Sequence, residues 1–277
     1  MTRAWSRLGL VAGAGLLPLR IAQHCAALDA ACFVARLPGE SAPELSGFPG
    51  GEFALGDLGA RFAALRAFGA DAVVFAGKVQ RPNFKALKAD AMGLRLLPRF
   101  LAAAARGDDA LHRLVVELCE GEGFQVLAVE QVLGGLLARE GPLGAHAPGL
   151  QDRADIARGA ALVAALGPFD VGQGCVVRDG VVLAVEAQEG TDGMLQRVAL
   201  LQRGAPRGGV LVKRAKPLQE RRIDLPAIGP DTIAHAQGAN LAGVAIEAGG
   251  GLIIDAPAVR VRADAAGLFV CGVALEN

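Results

Sequence analysis

Tyrosine is missing from this 277-residue sequence, tryptophan occurs once, and only 4% of the residues are aromatic. Net charge is missing too, since 28 Lys and Arg stand against 28 Asp and Glu. A protein that coats nucleic acid needs surplus cations for its phosphates, so nucleic acid is not an expected partner. Histidine is confined to His24, His112, His146 and His235, with no H-x-x-x-H spacing, which argues against a zinc site. The five cysteines (Cys25, Cys32, Cys119, Cys175 and Cys271) are odd in number, form no C-x-x-C and mostly sit in apolar runs. They read as reduced, buried thiols rather than a disulfide or metal framework. No apolar run reaches the ~18 residues of a membrane-spanning helix. The phosphate loop G-x-x-x-x-G-K-[ST] and the hydrolase elbow G-x-S-x-G are both absent, which excludes a P-loop nucleotidase and leaves a serine hydrolase unsupported.

What is present is apolar and glycine-rich. Hydrophobic residues make up 52% of the chain, and it holds 38 glycines. That is ample for a buried core, and disorder is not expected at this hydrophobicity. Such a length suggests two domains. Arg3 and Arg7 ahead of Leu8–Leu19 have the outline of a leader peptide, but glycines and Pro18 interrupt the run. Leu8–Ala12 reads better as a buried strand, with Gly13 and Gly15 as the turn and Leu16–Leu28 as a helix. Further strands are expected at 31–35, 72–76 and 124–129, and helices at 57–68, 92–105 and 108–120. The alternation predicts a Rossmann-like α/β domain over residues 1–145. Gly141–Gly149, rich in Gly and Pro, is the expected linker. After a helix at 152–166 the texture changes. Val176–Arg178 and Val181–Leu183 flank Asp179-Gly180, a hairpin signal. More strands at 208–212, 243–247, 252–255 and 268–270 predict a smaller α+β domain with a mixed sheet over 146–277.

Charge is balanced globally but not locally. Residues 179–196 carry Asp179, Glu186, Glu189 and Asp192 with no Lys or Arg, whereas 203–222 carry seven basic residues and one acid. Lys78, Arg81, Lys85 and Lys88 follow the strand at 72–76. Solvated faces produce such runs, and so does a cleft for a phosphorylated ligand with a divalent metal. Gly13-Ala-Gly15-Leu-Leu-Pro18 lets backbone N–H groups approach a phosphate at a helix N-terminus. The dinucleotide fingerprint wants a third glycine where Pro18 stands and an acid where Ala35-Arg36 stands, so the NAD reading lacks two of its specific points. In Gln188-Glu189-Gly190-Thr191-Asp192, Thr191 or Asp192 caps the next helix, or the segment meets a phosphate; the two are compatible. If residues 216–224 run extended, Lys216, Arg222 and Asp224 face one side. Oxygen ligands, cations and glycine turns favour Mg²⁺-assisted phosphoryl chemistry over redox or acyl transfer.

Four motifs occur in order: Gly9-Leu-Val-Ala-Gly13-Ala-Gly15-Leu-Leu-Pro18, Gly77-Lys78-Val-Gln-Arg81-Pro82, Glu186-Ala-Gln-Glu189-Gly-Thr191-Asp192, and Lys216-Pro-x-Gln219-x-x-Arg222-x-Asp224-Leu-Pro-x-Ile-Gly-Pro-x-Thr232. Together they resemble the UDP-2,3-diacylglucosamine pyrophosphatases of lipid A biosynthesis, the form unrelated to calcineurin-like phosphoesterases. Glu220 departs conservatively from an expected Asp. The resemblance implies Mg²⁺-dependent hydrolysis to UMP and 2,3-diacylglucosamine 1-phosphate (lipid X), with water attacking the sugar-side phosphorus in a two-domain cleft. It also implies a homodimer in the cytoplasm of a Gram-negative cell, in peripheral contact with inner-membrane lipid, with Lys85 and Lys88 as candidate contacts. By matching position, Asp224, Asp192 and Glu189 would serve catalysis and Mg²⁺. Gln188, Thr191, Lys213, Lys216, Gln219 and Arg222 would bind substrate, joined by Gly13, Gly15, Leu16 and Lys78 from the first domain. A non-catalytic nucleotide-sugar or lipid carrier and a dinucleotide-binding oxidoreductase are the competing classes.

Overall fold

A computed structural model describes residues 4–84, 86–217 and 219–275; Lys85 lies outside them. The chain divides into two compact units, one of residues 1–134 with 220–224, the other of 135–219 with 225–277.

The first unit is built on β1 (Arg7–Ala12), α1 (Leu16–Ala27), β2 (Ala31–Arg36), β3 (Gly50–Glu52), α2 (Leu58–Phe68), β4 (Ala72–Ala76), α3 (Ala91–Ala104), α4 (Asp108–Gly121), β5 (Gln125–Leu127) and α5 (Val129–Val132). Its strands form a sheet in the order β3-β2-β1-β4-β5, parallel throughout. β1 and β4 are near-continuous apolar runs because helices cover both their faces. α2 ends at Gly69 in the left-handed region (φ 77°), and Asp90 caps α3 by accepting from the Gly93 N–H at 2.8 Å. The strand expected at 124–129 stops at Leu127. The Gln131 side chain accepts from the Ala128 N–H at 2.8 Å, closing a helical turn where the extended run would have continued. β3 was not expected, because Gly-Gly-Glu has no apolar alternation. Its edge pairing depends on Gly50, where a Cβ would lie 2.0 Å from the Val34 carbonyl oxygen.

The second unit comprises β6 (Gly141–Pro142), α6 (Leu150–Leu166), β7 (Gly174–Arg178), β8 (Val181–Val185), α7 (Gly190–Leu201), β9 (Val210–Lys213), β10 (Ala227–Ile228), α8 (Pro230–Gly238), β11 (Gly243–Glu247), β12 (Leu252–Ile253), α9 (Ala256–Ala266) and β13 (Phe269–Val273). The main sheet runs β13-β11-β9-β7-β8. β9, β11 and β13 are parallel, and β7 is antiparallel to both β9 and β8, giving the expected mixed pairing. The β7–β8 turn places Asp179 (φ 50°) and Gly180 (φ 76°) in the left-handed conformation. The Asp155 carboxylate of α6 accepts both turn N–H groups, at 2.8 and 2.7 Å. Strand periodicity splits the core. Val176, Leu211, Val244 and Val270 pack with Met194, Ile233 and Val259 of α7, α8 and α9, while Cys175, Val212, Ala245 and Phe269 pack on Ile156, Ala160 and Val163 of α6.

The stretch read as a linker belongs to this second unit. Leu143 donates its N–H to Val270 (2.8 Å), and Ala145 donates to Asp264 (2.7 Å). The cysteines are free, and burial pushes the Cys119 and Cys175 thiols up to about 12, which keeps them protonated and unreactive.

Candidate functional site

In the first unit the chemistry-bearing edge lies where β1 and β4, neighbours in the sheet, both end. The chain leaves β1 toward β2 on one side and leaves β4 toward β5 on the other, the kind of switch point where open α/β sheets bind ligands. The two loops are clasped by backbone. Gly13 donates to Ala76 (2.8 Å), Ala14 to Lys78 (2.7 Å), and Lys78 back to Ala14 (2.9 Å). The approach is so close that a Cβ on Gly13 would sit 2.4 Å from the Lys78 carbonyl oxygen, and one on Gly77 2.5 Å from that of Ala14. Gly15 is different: open space surrounds it, and glycine is required by its φ of 96°. It precedes α1 without any side-chain cap, so the first N–H groups, beginning at half-exposed Leu16, have no side-chain acceptor from the cap. Lys78 is exposed just beyond β4. At the end of β2, Arg36 turns its guanidinium to the Leu45 and Phe48 carbonyls (3.3 and 3.5 Å). The carboxylate a nicotinamide dinucleotide fold uses for its ribose is replaced there by a cation.

The second unit presents side chains instead. β8, β9 and β11 share one direction, so Glu186, Lys213 and Glu247 gather at their carboxyl edge. Lys213 is buried, with Nζ donating to Thr191 Oγ1 at 2.6 Å and lying 3.8 Å from Glu186 Oε2. Thr191 Oγ1 in turn donates to Glu186 Oε1 at 2.9 Å. Gly174 leaves the room this needs, since a Cβ there would meet Glu186 Oε2 at 2.8 Å. The expected capping role therefore falls away. α7 begins after Glu189, Thr191 is its second residue, and no side chain caps it, because the hydroxyl is engaged in this network. Exposed Glu189 turns to Arg197, and its own backbone N–H together with that guanidinium holds its carboxyl below the usual range. Asp192 is half-exposed, with Oδ1 3.3 Å from Nδ1 of His235. Gln188, which precedes Glu189 in the chain, is exposed.

The segment after β9 does not run extended. Gln219 is buried; its N–H donates to the Lys216 carbonyl (3.1 Å), and its side-chain oxygen accepts from the Lys216 N–H (2.8 Å). Glu247 accepts from the Ala215 N–H at 2.9 Å. The Lys216 ammonium is buried against Asp170. From Glu220 the chain joins the first unit and turns, with Ile223 and Asp224 both donating to the Glu220 carbonyl (3.2 and 3.1 Å). The shared face proposed for Lys216, Arg222 and Asp224 on the basis of strand parity is therefore lost. The Glu220 N–H donates to Asp109 (2.7 Å), and Ile223 packs among Phe62, Val116 and Phe124. Arg222 forks onto both oxygens of Glu220 (2.9 and 2.8 Å) and reaches Glu120 (2.7 Å). This pairing lowers the Glu220 carboxyl and raises the guanidinium. Asp224 itself is half-buried at the end of the turn.

Each cation expected on phosphate thus has a carboxylate partner: Lys213 has Glu186, Lys216 has Asp170 and Arg222 has Glu220. Sequence reading missed these partners and Glu247, although Glu186 stood inside a quoted motif. Among the described residues, no three His, Cys, Asp or Glu side chains cluster closely enough to cage a metal ion. Mg²⁺ is a hard ion that needs only one or two protein carboxylates and completes its shell with water and substrate phosphate.

The model of the LpxI N-terminal domain matches residues 7–136, and that of the LpxI C-terminal domain matches 139–271. The chain is 48% identical over 272 residues to the UDP-2,3-diacylglucosamine pyrophosphatase LpxI of Caulobacter vibrioides, covering 96% of this chain and 97% of that one.

Proposed function

The chain belongs to the LpxI family, and from that premise we infer that it is a UDP-2,3-diacylglucosamine pyrophosphatase of lipid A biosynthesis. The observation that carries this reading is near-half identity to a relative of that activity across almost the entire length of both chains. It hydrolyses UDP-2,3-diacylglucosamine to UMP and 2,3-diacylglucosamine 1-phosphate. The water oxygen bonds to the sugar-side phosphorus, the bridging P–O bond breaks, and UMP leaves.

Asp224, Asp192 and Glu189 are the oxygen donors we assign to Mg²⁺, which when bound would offset charge on the diphosphate. The chain's own contribution is positioning and electrostatics. Asp224 orients water. Gln188, Thr191, Lys213, Lys216, Gln219 and Arg222 bind substrate, with Thr191 and the three cations directed to phosphate oxygens. To reach them each cation exchanges a carboxylate for a phosphate oxygen, an exchange between two charge-assisted bonds. The uncapped start of α1, with Gly13, Gly15, Leu16 and Lys78, supplies backbone and lysine donors.

No helix among the described residues is long and apolar enough to cross a membrane. The reading carries a cytoplasmic homodimer in peripheral contact with inner-membrane lipid. The deciding experiment is turnover of UDP-2,3-diacylglucosamine with Mg²⁺ in ¹⁸O water. Label in the sugar phosphate, together with loss of turnover on chelation and recovery with added Mg²⁺, is the expected result. Label in UMP would overturn the attack site. A chain that binds substrate and never turns it over would be a carrier.

A further inference from the structure

The sequence of α3, Ala-Met-Gly-Leu-Arg-Leu-Leu-Pro-Arg-Phe-Leu-Ala-Ala-Ala, has only two polar residues, Arg95 and Arg99. A helix apolar nearly all round belongs in a protein interior or against lipid. α3 does neither within its unit. Gly93, Leu96 and Ala103 face inward and are buried, while Leu94 and Leu101 remain 58% and 47% exposed. Pro98, also exposed, lies between them, and spacings of four and three residues place all three on one stripe.

Cations border this stripe. Arg95 and Arg99 lie on the helix, exposed Lys88 precedes it and exposed Arg106 follows. A groove of about 460 Å³ between α3 and α4 is lined by Arg99, Arg106 and Arg113 among small apolar residues. Two of these arginines are neutralised, Arg99 by Glu117 at 2.9 Å and Arg113 by Asp109 at 2.5 Å. Lys88, Arg95 and Arg106 form no ion pair among the described residues. The only acid between residues 88 and 107, Asp90, is occupied by the Gly93 and Ala60 N–H groups (2.8 and 3.0 Å).

We propose that this outer face of α3 docks the protein on an anionic lipid bilayer, with Leu94, Pro98 and Leu101 entering the acyl boundary and Lys88, Arg95 and Arg106 meeting headgroup phosphates. The inference deepens the peripheral lipid contact of the proposed function and rests on that reading for its biological setting. An anionic bilayer supplies both complements this face needs, apolar depth and negative charge. A twofold-related second copy would bring the same unpaired cations together.

The test is co-sedimentation of the full chain with phosphatidylcholine vesicles, with and without phosphatidylglycerol, at low and high salt. Binding is expected only to the anionic vesicles and should weaken with salt. Arg95→Gln with Arg106→Gln should cost roughly fivefold in partitioning per arginine, and Leu94→Glu with Leu101→Glu at least roughly tenfold. Both variants change exposed side chains and should keep wild-type melting and wild-type hydrolysis of detergent-dispersed substrate. The inference is overturned if the wild type ignores anionic vesicles or if the variants bind as well as it does. It is equally overturned if the leucine variant changes the sedimentation-equilibrium mass, because a second copy would then cover the stripe. Hydrolysis in detergent without vesicle binding would sink the docking face alone. Vesicle binding without hydrolysis would support the face and sink the pyrophosphatase reading.

Discussion

The two units finish their strands by opposite means. In the first, β1 and β4 end in glycine loops clasped by main-chain hydrogen bonds, with Gly13 and Gly77 allowing the backbones to meet. In the second, β8, β9 and β11 end in Glu186, Lys213 and Glu247, buried charges held by Thr191 and by backbone N–H, with Glu186 Oε2 facing the Lys213 ammonium at 3.8 Å without a hydrogen bond. One edge offers fixed N–H dipoles, which tolerate no added volume. The other offers ionised side chains, which tolerate no unpaired charge. The same sheet-end position thus fails by sterics in one unit and by electrostatics in the other.

Asp224 is the exception that tests this contrast most severely, since the carboxylate we assign to catalysis is carried by the backbone-lined unit. Asp224→Ala should lower kcat by roughly 10³-fold, the scale for loss of one essential group. The variant should still fold, because the residue is only half-buried at the end of a turn. Rapid-quench kinetics with a melting curve would check it. A loss under roughly tenfold would return Asp224 to a structural role.

Lys213→Met comes next. Removing the ammonium leaves Glu186 buried without its cation, so stability should fall by about 3 kcal/mol, and kcat should fall roughly 10²-fold if the cation acts on phosphate. Adding Glu186→Gln should recover most of the stability and none of the kcat. Chemical denaturation and kinetics on the pair separate the two effects. Joint recovery would make Lys213 structural only.

Volume decides the third comparison. Gly13→Ala drives a methyl group to 2.4 Å from a backbone oxygen, and should destabilise the first unit by roughly 2–3 kcal/mol. Gly15→Ala meets no neighbour and contends only with a φ of 96°, which should cost about 1–2 kcal/mol. Neither loss should depend on salt. Equal losses, or a salt-sensitive one, would erase the distinction between the two edges.

Local features of this fold were legible in the sequence. The apolar strands at 8–12 and 72–76 needed only their own residues, and Asp179-Gly180 announced the hairpin because no longer-range contact competes with a two-residue turn. The path of 216–224 was not legible. Whether that stretch runs straight or turns is decided by Asp109 on the Glu220 N–H and by Glu120 on Arg222, partners 111 and 102 residues away. Counterions failed to show for the same reason: Asp170 meets Lys216 across 46 residues, and Glu247 holds Ala215 across 32. Composition displayed the cations but not what already neutralises them.

The smallest effect concerns how the turn carrying Asp224 is held. Arg222, hydrogen-bonded to Glu220, depresses that carboxyl below its ordinary 4.5. A depressed carboxyl contributes stability that is complete above its unfolded value and lost as pH falls through the folded one. The pair should therefore support residues 220–224 at neutral pH and release them somewhat below pH 4.5. The Arg222 side chain is 38% exposed, so solvent screening limits the gain to about 1 kcal/mol or less. Glu220→Gln should show that deficit at pH 7 and none in acid, read by hydrogen exchange at Ile223 and Asp224. A deficit that persists below the titration would mean that packing of Ile223, rather than charge, fixes the turn, and that the first unit keeps to backbone and sterics even where it carries its carboxylate.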